Sequence, residues 1–169
     1  PGRDGGLNGT AYFRGTSNSA ALATRAAALL VEELEYLTDF SGDAIPDEYY
    51  SVLLKALLGH SSSWDGADKI YWKNMRSSFD SNRPRKEMVG RFLGYGEGTP
   101  ARVMECTEKR VTVLGFGELI KDQAQEFQFP LPPSLASKTD RRRLIITLAW
   151  LSPITPIRQN YRNAHLWFS

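Results

Sequence analysis

Arg14-Gly15-Thr16-Ser17-Asn18-Ser19-Ala20-Ala21 leads from a glycine-rich loop into a long alanine-rich segment, and its reading decides the fold. Ala20, Ala23, Ala27, Leu30, Leu34 and Leu37 follow at steps of three and four, so they line one face of a helix over 19–37. Small residues at the front of that face let the helix lie close against another element. The position of Ser17 then matters chemically. A serine at a helix N-terminus lies in the field of the positive end of the macrodipole. Its backbone N–H belongs to the unpaired first turn and can point at a developing oxyanion. Gly15 permits a substrate chain to approach the backbone closely. The plainer alternative is an N-cap, Thr16 or Ser17, in front of an ordinary buried helix.

Downstream, Pro46 suits the first turn of a second helix over 46–58, and Asp47 and Glu48 complement its positive end. Leu53, Leu54, Leu57 and Leu58 make one side of it apolar, and Gly59 is placed to end it. Between the two helices, Ser41-Gly42-Asp43 marks a polar break. A short helix is predicted over 67–77 and a further turn over 86–92. Thr99 reads as an N-cap with Pro100 at the first helical position, giving a short helix to about Cys106. Near Thr107 the character changes. The stretches 110–116, 117–121, 126–131, 144–150 and 164–168 are rich in β-branched and aromatic residues, with Pro, Gly and Ser between them. That pattern predicts an antiparallel β domain, a sandwich, after the boundary.

Composition narrows the function classes. A formal net charge of +2 gives no electrostatic case for nucleic acid. The run Arg141-Arg142-Arg143 lacks interleaved aromatics and reads as a solvated strand edge. The apolar stretches at 26–31 and 52–58 are too short to span a bilayer. With one cysteine, Cys106, an intrachain disulfide is impossible. Asp39, Asp43, Asp47 and Glu48 cluster without calcium-loop spacing and read as capping groups, so no metal site is predicted. Asn8-Gly9-Thr10 fits a glycosylation acceptor, a pattern that recurs by chance. The Gly-rich opening at 1–6 and the apolar finish Leu166-Trp167-Phe168 read as cuts through a longer protein, which leaves localisation unknown.

Gly15-Thr16-Ser17, a variable residue, small residues and then Ala26-Ala27-Ala28-Leu29-Leu30 resemble the serine motif of the subtilases, the subtilisin-like serine peptidases. Further stretches are similar in the same order. Leu53-Leu54-Lys55-Ala56-Leu57-Leu58-Gly59-His60-Ser61 resembles the next helix of the family, and Leu93-Gly94-Tyr95-Gly96 its Gly-aromatic-Gly turn. The stretch 142–153 resembles a central strand of the jelly-roll domain that follows the catalytic domain in some members. The resemblance implies an α/β fold over 1–107, the C-terminal, mostly helical part of a doubly wound catalytic domain, and a truncated jelly-roll-like β-sandwich over 108–169. It implies a serine endopeptidase acting on polypeptide through an acyl-enzyme on Ser17. The Ser17 N–H forms part of the oxyanion hole, and Thr16 and Gly15 shape the turn. No organic cofactor is implied, and structural calcium occurs in the family. Ala21 and Leu22 depart from the family pattern, which places Pro and often His there.

Subtilases order their triad Asp, His, Ser along the chain. Both histidines, His60 and His165, follow Ser17, so neither matches the catalytic His, and Asn8 is too close to Ser17 to be the oxyanion-hole Asn. The upstream part of the same protein is therefore the implied partner, and the chain as given is expected to be inactive. Removing the triad of a subtilisin costs about a millionfold in rate. Two other readings stay open. The elbow of an α/β-hydrolase would place Ser17 before a usable His, but position 19 is Ser where its second Gly belongs. A non-catalytic protein, either a degenerate subtilase scaffold or a β module for partner binding, is the rival from another class. Trp150 and Trp167 could serve a binding face, though strand aromatics more often pack.

Overall fold

The computed structural model describes residues 15–39, 41–74, 82–107, 110–129, 143–157 and 164–168. The opening loop, the extended segment expected over 10–14, Asn8-Gly9-Thr10 and Arg141-Arg142 lie outside them. The described residues are mainly helical, with one small antiparallel sheet.

Helix α1 spans Thr16–Tyr36 and a 3-10 turn spans Asp47–Tyr49, running into α2 at Tyr50–Ser61. Strand β1 (Ser62–Ser63), α3 (Ala67–Asn74), α4 (Asn82–Leu93), β2 (Glu97–Gly98) and α5 (Ala101–Met104) follow. The helices predicted over 19–37 and 46–58 are thus present with shifted ends, and that over 67–77 is present from 67 to 74, its last three positions lying outside the described residues. α4 exceeds the turn expected over 86–92. Its sequence is polar, and Val89 is its one fully buried side chain among the described ones, so an apolar stripe was not there to be read. Pro100 takes the N-cap position of α5 in helical backbone geometry, one place earlier than its expected role, and Thr99 precedes it.

The core forms where α1 crosses α2. Leu30 and Leu34 of α1, Leu53 and Leu57 of α2, Ile45 and Val103 are buried together. Tyr49, Tyr50, Leu54 and Leu58 pack around them, as do Leu114 and Phe116 from beyond Thr107. Phe116 sets its ring 4.8 Å from that of Tyr49. Only the rear half of the expected α1 face is used, since Ala20 and Ala23 are exposed. The reason is length: 21 residues of helix extend about 31 Å and the 12 of α2 about 18 Å. The shorter helix therefore cannot cover the longer.

Between α1 and α2 the chain turns on Asp39. Its Oδ1 accepts the N–H groups of Ser41 and Asp43 at 2.7 and 3.0 Å, and Gly42 adopts φ +87°. Asp39 thus closes a turn instead of capping a helix, and the 3-10 segment, with Asp47 and Glu48 in its first turn, has Pro46 at its N-cap and no side-chain cap hydrogen bond, so the expected capping is not seen.

Past Thr107, none of the described residues belongs to a named strand. The stretches 110–120 and 123–129 nevertheless run side by side about a turn at Lys121-Asp122, where Asp122 has φ +63°. The Gln123 N–H reaches the Ile120 carbonyl at 3.2 Å, and the Gln123 Oε1 accepts the Ile120 N–H at 3.1 Å. Phe127 lies against Gly115 and Gln125 against Gly117. Segment 143–157 lies along α2, where the Lys55 Nζ donates to the Trp150 carbonyl at 3.3 Å and His60 meets Thr147.

Candidate functional site

Gly15 is the N-cap of α1 and caps it without a side-chain bond. Thr16 and Ser17 therefore occupy the first and second helical positions, and neither is the side-chain cap that the plainer reading expected. The first i→i−4 bond of the helix runs from the Ser19 N–H to the Gly15 carbonyl at 3.2 Å. The N–H groups of Thr16, Ser17 and Asn18 precede that ladder and lie in the positive end of the macrodipole. Ser17 is exposed, and its hydroxyl has no side-chain hydrogen bond among the described residues. The Ser19 hydroxyl, by contrast, folds back on the Gly15 carbonyl at 3.4 Å. A Cβ built on Gly15 would meet nothing within 4 Å among the described residues.

Neither histidine is hydrogen-bonded to Ser17. His60 lies in the last turn of α2, half-buried, with Nδ1 2.8 Å from the Thr147 hydroxyl oxygen. Burial, with the Arg110 guanidinium adding to it, holds the imidazole below its ordinary pKa. His165 is exposed in segment 164–168. A serine hydroxyl without a hydrogen-bonded base is not an activated nucleophile.

A second polar cluster, which the sequence reading did not single out, joins α2 to α5 and the small sheet. Ser61 is fully buried and its hydroxyl donates to the Leu58 carbonyl at 2.9 Å. The Ser62 hydroxyl donates to the same carbonyl at 2.7 Å. The Thr99 N–H donates to the Ser61 carbonyl at 3.2 Å, which the Arg102 guanidinium also reaches at 3.4 Å. Arg102 donates in addition to the Asp65 carboxylate, and the Ser63 hydroxyl donates to Asp65 Oδ1 at 3.0 Å. These two hydrogen bonds, the guanidinium first, hold the Asp65 carboxyl below the usual carboxylate range. Ser62 pairs with Gly98 and Ser63 with Glu97 across the sheet. The Trp64 indole N–H donates to the Gly94 carbonyl at 3.0 Å. The signal available in advance was Asp65-Gly66, a dipeptide that marks a turn; both residues have positive φ, +45° and +87°. The Ser61, Ser63, Asp65 and Arg102 groups bond across these elements, so the cluster serves as a joint between them.

Among the described residues no group of three or more metal-ligating side chains comes together, and no helix is long and apolar enough to cross a membrane. No protein-family model, curated protein or solved structure matches the chain at a significant level.

Proposed function

We propose that the chain is the C-terminal part of a subtilisin-like serine endopeptidase, with Ser17 as the nucleophile. Residues 1–107 would belong to its α/β catalytic domain and residues 108–169 to a jelly-roll-like β-sandwich. The observation that supports this best is the presentation of Ser17. A Gly-Thr-Ser turn sets an exposed hydroxyl at the second position of a 21-residue helix, ahead of its hydrogen-bond ladder.

In this reading Ser17 Oγ attacks the scissile carbonyl of a polypeptide while a histidine from upstream in the same protein takes its proton. The tetrahedral oxyanion accepts the Ser17 N–H and a side-chain amide from the upstream part, and collapse releases the amine and leaves an acyl-enzyme on Ser17. The dipole-positive helix end favours the negative charge that develops there. Water then attacks the ester, with the histidine as base, and frees the second product. Thr16 and Gly15 hold the turn. His60 and His165 take no part.

A fluorophosphonate probe tests this on the full-length protein. Labelling should map to Ser17 and vanish in Ser17→Ala. Full-length wild type that fails to react would sink the peptidase reading. The sequence upstream of Pro1 gives an independent check, because it should carry Asp and His motifs in that order.

A further inference from the structure

Segment 143–157 meets α2 through polar contacts, one of which is made by a histidine ring. Thr147 packs its methyl 3.7 Å from where a Cβ on Gly59 would lie, and its hydroxyl is 2.8 Å from His60 Nδ1. One turn before Gly59, the Lys55 Nζ reaches the Trp150 carbonyl. Glycine at 59 lets the segment lie close to the helix. The segment itself supplies no charge between Leu144 and Ile157, so it cannot offset a cation placed beneath it. Arg110, at the start of 110–129, is the cation that acts on the ring, and Lys55 lies on the same helix as His60; the Arg102 guanidinium, directed to the neighbouring Ser61 carbonyl, is paired with the Asp65 carboxylate, and Arg143 stands at the head of the segment.

We propose that His60 is a pH-sensitive latch, which holds segment 143–157 on α2 while the imidazole is neutral and releases it when the ring is protonated. The Thr147 bond alone does not make the switch, because a threonine hydroxyl can donate to a neutral Nδ1 or accept from a protonated one. The switch lies in charge. Protonation places a cation in a half-buried site beside Arg110, and undocking the segment returns the ring to water. The docked state thus binds the proton more weakly than the undocked state. Docking is complete above the ordinary histidine value of about 6.5 and weakens as the pH falls through it, until the depressed docked value is passed. This inference does not rest on the peptidase reading.

Hydrogen exchange resolved to peptides within 144–151, corrected for intrinsic rates, tests it at pH 7.5 and pH 5.0. Wild type should lose protection at pH 5.0 while the peptides of α2 around Leu53 and Leu57 keep theirs. His60→Gln can still bond Thr147 but does not titrate, so its protection should be the same at both pH values. Equal loss in wild type and His60→Gln, or full protection of wild type at pH 5.0, overturns the latch. Should His60→Gln fail to fold, Arg110→Gln decides the matter. Removing that cation should shrink the loss at pH 5.0, and an unchanged loss refutes the proposal.

Discussion

Gly96 gives the sharpest test of the joint at the end of α2. Its φ is +93°, and a Cβ there would lie 2.3 Å from the Ser63 carbonyl oxygen, 2.5 Å from the carbonyl carbon and 2.9 Å from Trp64 Cδ1. Ordinary contact begins at 3.4 Å, so the Ser63 backbone must retreat by 3.4 − 2.3 = 1.1 Å for the methyl of Gly96→Ala to fit. That backbone is paired across the two-residue sheet, and the next residue donates to the Gly94 carbonyl. Gly42 is the matched control. Its φ is +87° and a Cβ there meets nothing within 4 Å, so Gly42→Ala carries the dihedral strain alone, about 1–2 kcal/mol. Gly96→Ala adds the loss of two or three hydrogen bonds at about 1 kcal/mol each, for a total cost of about 3–5 kcal/mol. Urea unfolding of both variants beside wild type, with a common slope, reads the difference. If Gly96→Ala costs no more than Gly42→Ala, the close approach of β2 to Ser63 is wrong.

Four further outcomes are expected. Leu53→Ala, at a core position 3% exposed, should cost about 2–5 kcal/mol in the same assay. Leu22→Ala, on the uncovered front of α1 at 65% exposure, should stay within about 0.5 kcal/mol. Ser17→Ala should leave stability within about 0.5 kcal/mol of wild type, because the hydroxyl is exposed and unbonded among the described residues. A large loss of stability would mean that absent probe labelling reports unfolding instead of a missing nucleophile. Asp65, whose folded pKa is depressed, contributes stability that is present above its unfolded value of 3.8 and lost as pH falls through the folded one. Asp65→Asn should therefore unfold with a flatter acid limb below about pH 4 than wild type, and an unchanged limb would remove Asp65 from the joint.

The helical half was legible through its apolar spacing more than through its breakers. Leu53 and Leu57 are buried on one face of α2 as their spacing predicts, whereas Pro46 is the extended N-cap of the 3-10 turn and Gly59 lies inside α2 instead of ending it. The front of α1 shows the limit of such reading. Alanine spacing says which face can be buried, while the length of the partner decides how much of it is. The length of α4 was missed for the opposite reason, since Val89 is the one buried position among its described side chains. For the segments after Thr107, β-branched and aromatic residues report a fit to a pleated, half-buried surface. A ladder also needs a partner backbone, which composition does not supply. At the candidate site, the helix expected from 19 begins three residues earlier, at Thr16, with Gly15 as its N-cap. What a helix start cannot carry is the base and its orienting acid, because a triad is assembled from distant stretches and recognised by geometry.

α2 is where the two halves meet. Its inner face packs on α1 through Leu53 and Leu57, its C-terminal end is tied to α5 and β2 through Ser61, and its polar side anchors 143–157 through Lys55 and His60. These attachments differ in kind, and so in what disturbs them. The apolar contact with α1 is indifferent to pH and weakens only when volume is removed. The Ser61 joint buries a hydroxyl and a carbonyl that must stay paired, so it resists partial opening. The anchor on 143–157 spans one half-buried imidazole and one exposed amine. The helix that carries Ser17 therefore stands on the pH-insensitive attachment, and the proposed latch would loosen the segment across α2 without moving α1.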